Sequence, residues 1–348
     1  MLARSALSMP LWAAQLLTGA KSFADNRLIG SPKLNRLGLH ATRLSLAHRL
    51  ATLRRRRLAH LITPDDRAAF ERDGFIVKPN LLPPAEFEAL IEEIRAYRGK
   101  ARETVQGDTV TRRIAIDPTL LRRLPRLERL IQSGQLQGIV RYVGSFDAEP
   151  MLYLQTILTR TGGASADPQR NLHSDAFHPS VKAWLFLTDV AEDRAAFQYV
   201  PGSHRLTAER RAWERDMSIL AARSPDRLTR RGSFRIDPAS LPQLGLPEPR
   251  TFAVAANTLV VADMFGFHAR GPSGVPAMRV EIWAFGRHNP FTPWTKLRLW
   301  NISAIARRRA ALFWLYGDLA ERLGFGRSVW RRQRNSSAFD ASSPVNPD

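Results

Sequence analysis

The chain has 348 residues, with 52 Lys and Arg against 32 Asp and Glu, for a formal charge of +20. That length suits one large domain with end segments, and the charge favours anionic partners. The bias is almost all Arg, with only six Lys, so genome composition is an equally good source of it. Cysteine is absent, which excludes disulfides, a thiolate nucleophile and cysteine-held zinc or iron–sulfur sites; any metal must be held by His, Asp or Glu.

No stretch approaches the ~20 apolar residues that a membrane span needs. The opening "MLARSALSMPLWAAQLLTGAKS" looks like a poor signal peptide, because Gln15 interrupts the apolar run and no Ala-x-Ala site follows. A cytoplasmic protein is expected. Residues 1–61 read as a basic extension, partly helical or disordered. Leu46, Leu50 and Leu53 share one helical face amid Arg43, Arg49 and Arg54 to Arg57. Such a basic amphipathic helix could touch an anionic membrane at its inner face, although a solvated extension is the plainer reading.

The ordered domain is expected over 62–290. In "ITPDDRAAFERDGFIV", Thr63 can cap, Pro64 suits the first turn, Asp65 and Asp66 complement the positive helix end, and Gly74 can close the helix. Phe75 to Lys78 then reads as a strand. A second helix carries Phe87, Leu90, Ile91, Ile94 and Tyr97 at helical spacing, with Gly99 as its stop. Helical material is expected from Pro118 to Val143. From Met151 the texture changes to short apolar or alternating runs, "MLYLQTILTR", "VKAWLFLTDV", "AAFQYVPG", "FAVAANTLVVADMF" and "RVEIWAFGR", the spacing of a closed or sandwiched β architecture. Leu206 to Arg235 reads as a helical excursion. Residues 291–335 form a basic helical segment, in which Leu312, Phe313, Leu315, Tyr316 and Leu319 are expected to pack a helix onto the barrel, and 336–348 should be a disordered tail.

His173 and Asp175 stand two apart just ahead of the strand that starts at Val181. A strand places residues i and i+2 on one face, so both can point at one ion. Two histidines and a carboxylate on one face of an octahedron leave three positions open, the arrangement of non-haem iron(II) oxygenases. His178, His204, His268 and His288 compete for the third place. His268, at the end of a buried strand and before the turn-rich "ARGPSGVPA", is favoured; His178 more naturally lines the mouth. Eleven residues after His268, Arg279 opens a strand on which Arg279, Glu281 and Trp283 share a face, placing a guanidinium where it could bind a carboxylate bidentately.

"RAAFERDGFIVKPNLL", "LHSDAFHPSVKAWLFLTDV", "YVPGSHRL" and "HARGPSGVPAMR", in this order over about 62–288, resemble the phytanoyl-CoA dioxygenase family of iron(II)- and 2-oxoglutarate-dependent oxygenases. The resemblance implies a mainly β fold with flanking helices (α+β) around a double-stranded β-helix, or jelly-roll, cupin-like core. It implies His173, Asp175 and His268 as ligands of Fe(II), and Arg279 as partner of the distal carboxylate of 2-oxoglutarate. His204 belongs to the signature turn and is not implied as a ligand. The small hydroxyl residue that some members carry two positions after the distal His is Arg270 here, and Ser273 could take its part. The implied reaction is O2-dependent hydroxylation of an aliphatic C–H, with release of succinate and CO2. Asp175 stands where related halogenases need a small residue, which favours hydroxylation. His178, Lys182, Trp184 and Arg270 are candidate contacts for a small-molecule or lipid-like substrate, anionic or neutral. Two rivals use the same His/Asp/His site: a zinc-dependent hydrolase and a non-catalytic jelly-roll binding protein. No motif for nucleic-acid binding is present in the sequence.

Overall fold

The computed structural model describes residues 2–159, 167–295, 306–324 and 328–341. Its strands are β1 (Phe75–Lys78), β2 (Gly99–Gln106), β3 (Thr109–Ala115), β4 (Met151–Thr159), β5 (Val181–Phe186), β6 (Phe197–Tyr199), β7 (Arg250–Phe252), β8 (Leu259–Asp263), β9 (His268–Arg270), β10 (Ala277–Gly286) and β11 (Arg331–Ser336). They form an antiparallel eight-stranded sheet, β1-β8-β5-β10-β4-β3-β2-β11, and a three-stranded sheet, β7-β6-β9. An antiparallel bridge between His173 and His268 adds the His-x-Asp segment beside β9. Four central strands, β8-β5-β10-β4, are thus matched by four short ones. From β4 to β10 the chain passes between the sheets in the winding of a jelly roll, so the fold is mainly β with flanking helices, as expected.

The large sheet is covered on both faces. β8 reads "LVVAD" and is buried throughout, the pattern of a strand between two layers. Outside, Val280, Ile282 and Ala284 of β10 join Phe70, Leu90, Ile94, Leu127, Val140 and Val143 in one apolar cluster. These come from the helices Pro64–Asp73, Pro84–Ala96, Pro125–Gln132 and Gly134–Gly144. Inside, Tyr153, Trp184, Phe186 and Trp283 face Phe197, Tyr199 and Phe252 of the small sheet. The first of these helices is capped as its sequence requires: the Thr63 hydroxyl accepts from the Asp66 N–H, and Gly74 closes it at φ 85°. A Cβ on Gly74 would lie 2.5 Å from His204 Nδ1, so the position demands glycine twice over.

Several segments depart from expectation. The hairpin β2–β3 has no apolar alternation to announce it, because its inner face, Thr104, Gln106, Thr111 and Arg113, lines a polar cavity. The basic helix Leu39–Leu58 buries Leu44, Ala47, Ala51, Arg54 and Leu58 and turns Leu46 and Leu53 outward. Its Arg block is docked: Arg54 donates to the carbonyls of Ser145, Pro290 and Thr292, and Arg55 pairs with buried Asp263 at 2.8 Å. The helix Arg309–Arg322 is present, but Leu312, Phe313, Leu315, Tyr316 and Leu319 are exposed and do not pack it onto the barrel. It docks through Ala310 and Trp314, with Asp318 held by Arg102 and Arg332, and those ion pairs fix which face turns inward. Ordered chain continues past 336, because Ala338 enters the outer core and Asp340 pairs with Arg98; residues 342–348 lie outside the described residues. No described helix is long and apolar enough to cross a membrane.

Candidate metal centre

His173 and His268 lie on neighbouring antiparallel segments and exchange backbone hydrogen bonds of 2.9 and 3.0 Å. This register sets the two rings 4.4 Å apart, centre to centre. The Asp175 N–H donates to the carbonyl of Met264, just past β8, at 2.9 Å, and so fixes where its carboxylate points. The side chains of these three residues each offer one atom within 4.8 Å of the others, the sole such group among the described residues.

The two imidazoles are oriented by backbone carbonyls. Nδ1 of His173 faces the Asn171 carbonyl at 2.7 Å, and Nδ1 of His268 faces the Gly266 carbonyl at 2.9 Å. A carbonyl only accepts, so each Nδ1 carries the proton and each Nε2 keeps its lone pair. Both Nε2 atoms are buried without a hydrogen-bond partner, a state that is costly unless something else binds them. They lie 3.7 and 3.6 Å from Asp175 Oδ1. Burial, with His268 next in weight, pushes the His173 pKa well below its ordinary value. Burial alone would raise Asp175, but Lys182, then His268 and His173, outweigh it and leave the carboxyl well below the usual range. Lys182 Nζ sits 2.6 Å from Asp175 Oδ2, so Oδ1 is the oxygen left to face the imidazoles. Lys21, from the N-terminal segment, donates to the Asp175 carbonyl. Two imidazole nitrogens with no other partner and one carboxylate oxygen fit a divalent first-row metal.

The three residues lie at one end of a cavity of about 340 Å3. Arg279, Lys182, Trp184 and Arg270 all line it. Arg279 is buried: Nη1 donates to the Ala195 carbonyl at 2.6 Å, while Nε faces Glu281 Oε2 across 2.8 Å as an ion pair without a hydrogen bond's alignment. Arg270 pairs with buried Asp167. Trp184 packs against Phe197, their ring centres 4.4 Å apart and the rings tilted by 35°.

Two expected contacts are elsewhere. Ser273 does not line the cavity; its hydroxyl donates to the Val275 carbonyl within the exposed turn, since the β9–β10 turn carries it past the rim. His178 is not at the mouth. It is buried beneath Gly19 and beside Phe177, its Nδ1–H given to the Pro179 carbonyl, and burial pushes its pKa to about 3. The N-terminal segment, with no sequence signal for this docking, covers it. His204 packs on Phe70 at 5.1 Å and is no part of the ligand group.

Arg113 and Gln155, which the sequence does not single out, also line the cavity. Arg113, Gln155 and Glu281 stand in one row, because β3 pairs Arg113 with Gln155 and β10 pairs Glu281 with Gln155. Arg113 Nε donates to Gln155 Oε1 at 2.7 Å, and Gln155 Nε2 donates to Glu281 Oε1 at 2.5 Å. Trp330, just ahead of β11, closes the far side.

Residues 70–228 match the sequence model of the phytanoyl-CoA dioxygenase (PhyH) family. This segment belongs to that family. The match includes His173 and Asp175 and ends before His268 and Arg279, which the fold itself brings to the same site. Among solved structures, the epimerase SnoN, in complex with Fe3+, alpha ketoglutarate and nogalamycin RO, is 20% identical over 65% of this chain and 83% of its own, with a TM-score of 0.40. HygX from Streptomyces hygroscopicus, with nickel and 2-oxoglutarate bound, is 20% identical over 70% of this chain and 95% of its own, with a TM-score of 0.39. The carbocyclase SnoK from nogalamycin biosynthesis is 16% identical over 66% and 84%, with a TM-score of 0.39. These likenesses are weak, and the strand order is the stronger statement of fold. No curated protein matches the chain.

Proposed function

We propose that this PhyH-family protein is an iron(II)- and 2-oxoglutarate-dependent dioxygenase that hydroxylates an aliphatic C–H bond. The observation that carries the reading is the pair of buried, unpartnered imidazole Nε2 atoms turned toward one carboxylate oxygen, at the end of a cavity walled by a buried guanidinium. His173, Asp175 and His268 would hold iron(II), and three ligands leave room for a bidentate co-substrate and dioxygen. Bound iron with 2-oxoglutarate supplies the oxidising chemistry, in which the co-substrate loses CO2 to become succinate and one dioxygen atom enters the product.

The chain's own residues bind, orient and exclude water. Lys182 occupies Asp175 Oδ2 and keeps the carboxylate ionised and single-faced toward the metal. Arg279 would receive the distal carboxylate of 2-oxoglutarate; its Nη2 forms no hydrogen bond among the described residues. Trp184, Phe197, Trp283 and Phe285 form the apolar wall beside the site, where a substrate C–H could be held away from water.

The test is succinate formation from 2-oxoglutarate by the full chain supplied with iron(II) and oxygen. Succinate release that requires iron(II), and that falls at least about a hundredfold in Asp175→Ala and His268→Ala, is the expected result. A zinc-loaded protein that hydrolyses esters or amides and forms no succinate would replace this reading with the hydrolase.

A further inference from the structure

Four cationic side chains line the cavity, and three of them have a carboxylate of their own. Lys182 has Asp175, Arg270 has Asp167 and Arg279 has Glu281. The fourth, Arg113, has none within ion-pair distance among the described residues. Its Nε bonds to the neutral amide of Gln155, and the charge reached through that amide, Glu281, is already matched by Arg279. An uncompensated guanidinium in a confined cavity is expensive unless a ligand completes it.

The setting of Arg113 is also that of a built site. Its guanidinium lies 3.9 Å from the ring centre of Trp283 and 4.9 Å from that of Trp330, close enough for both indoles to attract the cation. Trp330 is delivered by the C-terminal segment, whose strand β11 pairs with β2. Burial lowers the Arg113 pKa to about 10, which leaves it charged at neutral pH. The planar fork of Arg matches carboxylate and phosphate oxygens bidentately.

We propose that Arg113, set beside Trp283 and Trp330, anchors an anionic head group, carboxylate or phosphate, of the primary substrate. This rests on the oxygenase reading above and narrows its substrate class to anionic amphiphiles, with the apolar body lying toward Trp184 and Phe197. In this arrangement Arg279 serves the co-substrate and Arg113 the substrate, and Glu281 and Gln155 separate the two guanidinium groups.

The experiment measures binding of three probes with the same chain, octanoate, octyl phosphate and octan-1-ol, to the full-length protein loaded anaerobically with iron(II), read by tryptophan fluorescence. One or both anionic probes should bind the wild type about tenfold or more tighter than the alcohol. Which of the two binds tighter tells a carboxylate site from a phosphate site. That advantage should vanish in Arg113→Gln and return in part in Arg113→Lys. Equal affinity for all three probes, or an advantage that survives Arg113→Gln, overturns the proposal. The same samples are titrated with 2-oxoglutarate, following its visible absorption band on iron(II). If Arg113→Gln weakens that band as Arg279→Gln does, Arg113 belongs to the co-substrate and the proposal is wrong. If the wild type gives no band at all, the oxygenase reading fails on its own, while the probe series still decides whether Arg113 holds an anion.

Discussion

One strand presents two different chemistries. On the outer face of β10, Val280, Ile282 and Ala284 enter an apolar cluster with the helices. On its inner face, Arg279 and Trp283 line the cavity and Glu281 is buried beside them, paired with Arg279. The outer face stabilises by close packing of groups that need no partner. The inner face holds charges that must each be matched, which costs stability unless every member is satisfied. A sheet covered on both sides can keep one face dry and rigid and so hold ionisable groups in fixed places on the other.

Truncations should separate the faces. Ile282→Ala removes buried methyl groups from the outer cluster and should lower unfolding free energy by about 3 kcal/mol, while the folded protein keeps its affinity for iron(II). Chemical denaturation together with an iron titration checks this; a lost iron site with unchanged stability would mean that the two faces are not separable.

Two histidines buried outside the cavity are held in their neutral form. Burial pushes the pKa of both His178 and His204 to about 3, against about 6.5 in the unfolded chain. The unfolded state therefore takes up the protons first. The contribution of each residue is complete above pH 6.5 and is lost as the pH falls toward 3, amounting to about 2 kcal/mol apiece at pH 5. Urea midpoints at pH 7 and pH 5 should show this loss, and His204→Asn should flatten the pH dependence by one proton's share. Equal slopes in the two proteins would mean that His204 is not held neutral.

A smaller effect is expected at Lys182. Lys182→Met leaves Asp175 Oδ2 without its partner, and iron(II) affinity should weaken by about tenfold, measured by equilibrium titration. No change would show that the carboxylate is oriented by its backbone alone. Ser273→Ala should change neither stability nor co-substrate affinity beyond about 0.5 kcal/mol, because its hydroxyl is spent in an exposed turn.

The pattern of legibility follows from where each signal resides. The His-x-Asp pair, the late His and the Arg eleven residues on stand at strand ends within motifs that resemble a known family, and position and resemblance together send them to one place. The helix from Pro64 to Asp73 carried its own cap and stop. Arg113 is one arginine among many, and only the pairing of β3 with β4 shows that it faces the cavity. The chain ends were opaque for a related reason. The docking of Arg54 and Arg55, of Ala338 and of Trp330 depends on partners tens to hundreds of residues away, and no local pattern records them. His178 was misread because nearness in sequence to Asp175 suggested the mouth, whereas Gly19 and Lys21 come from far along the chain to cover that side.

The most direct test of the central claim is anaerobic visible spectroscopy of the iron(II)-loaded protein titrated with 2-oxoglutarate. The account predicts a weak charge-transfer band in the wild type, no band in Asp175→Ala, and a band in Arg279→Gln that needs about tenfold or more co-substrate to appear. Iron bound stoichiometrically with no band at saturating 2-oxoglutarate would contradict it.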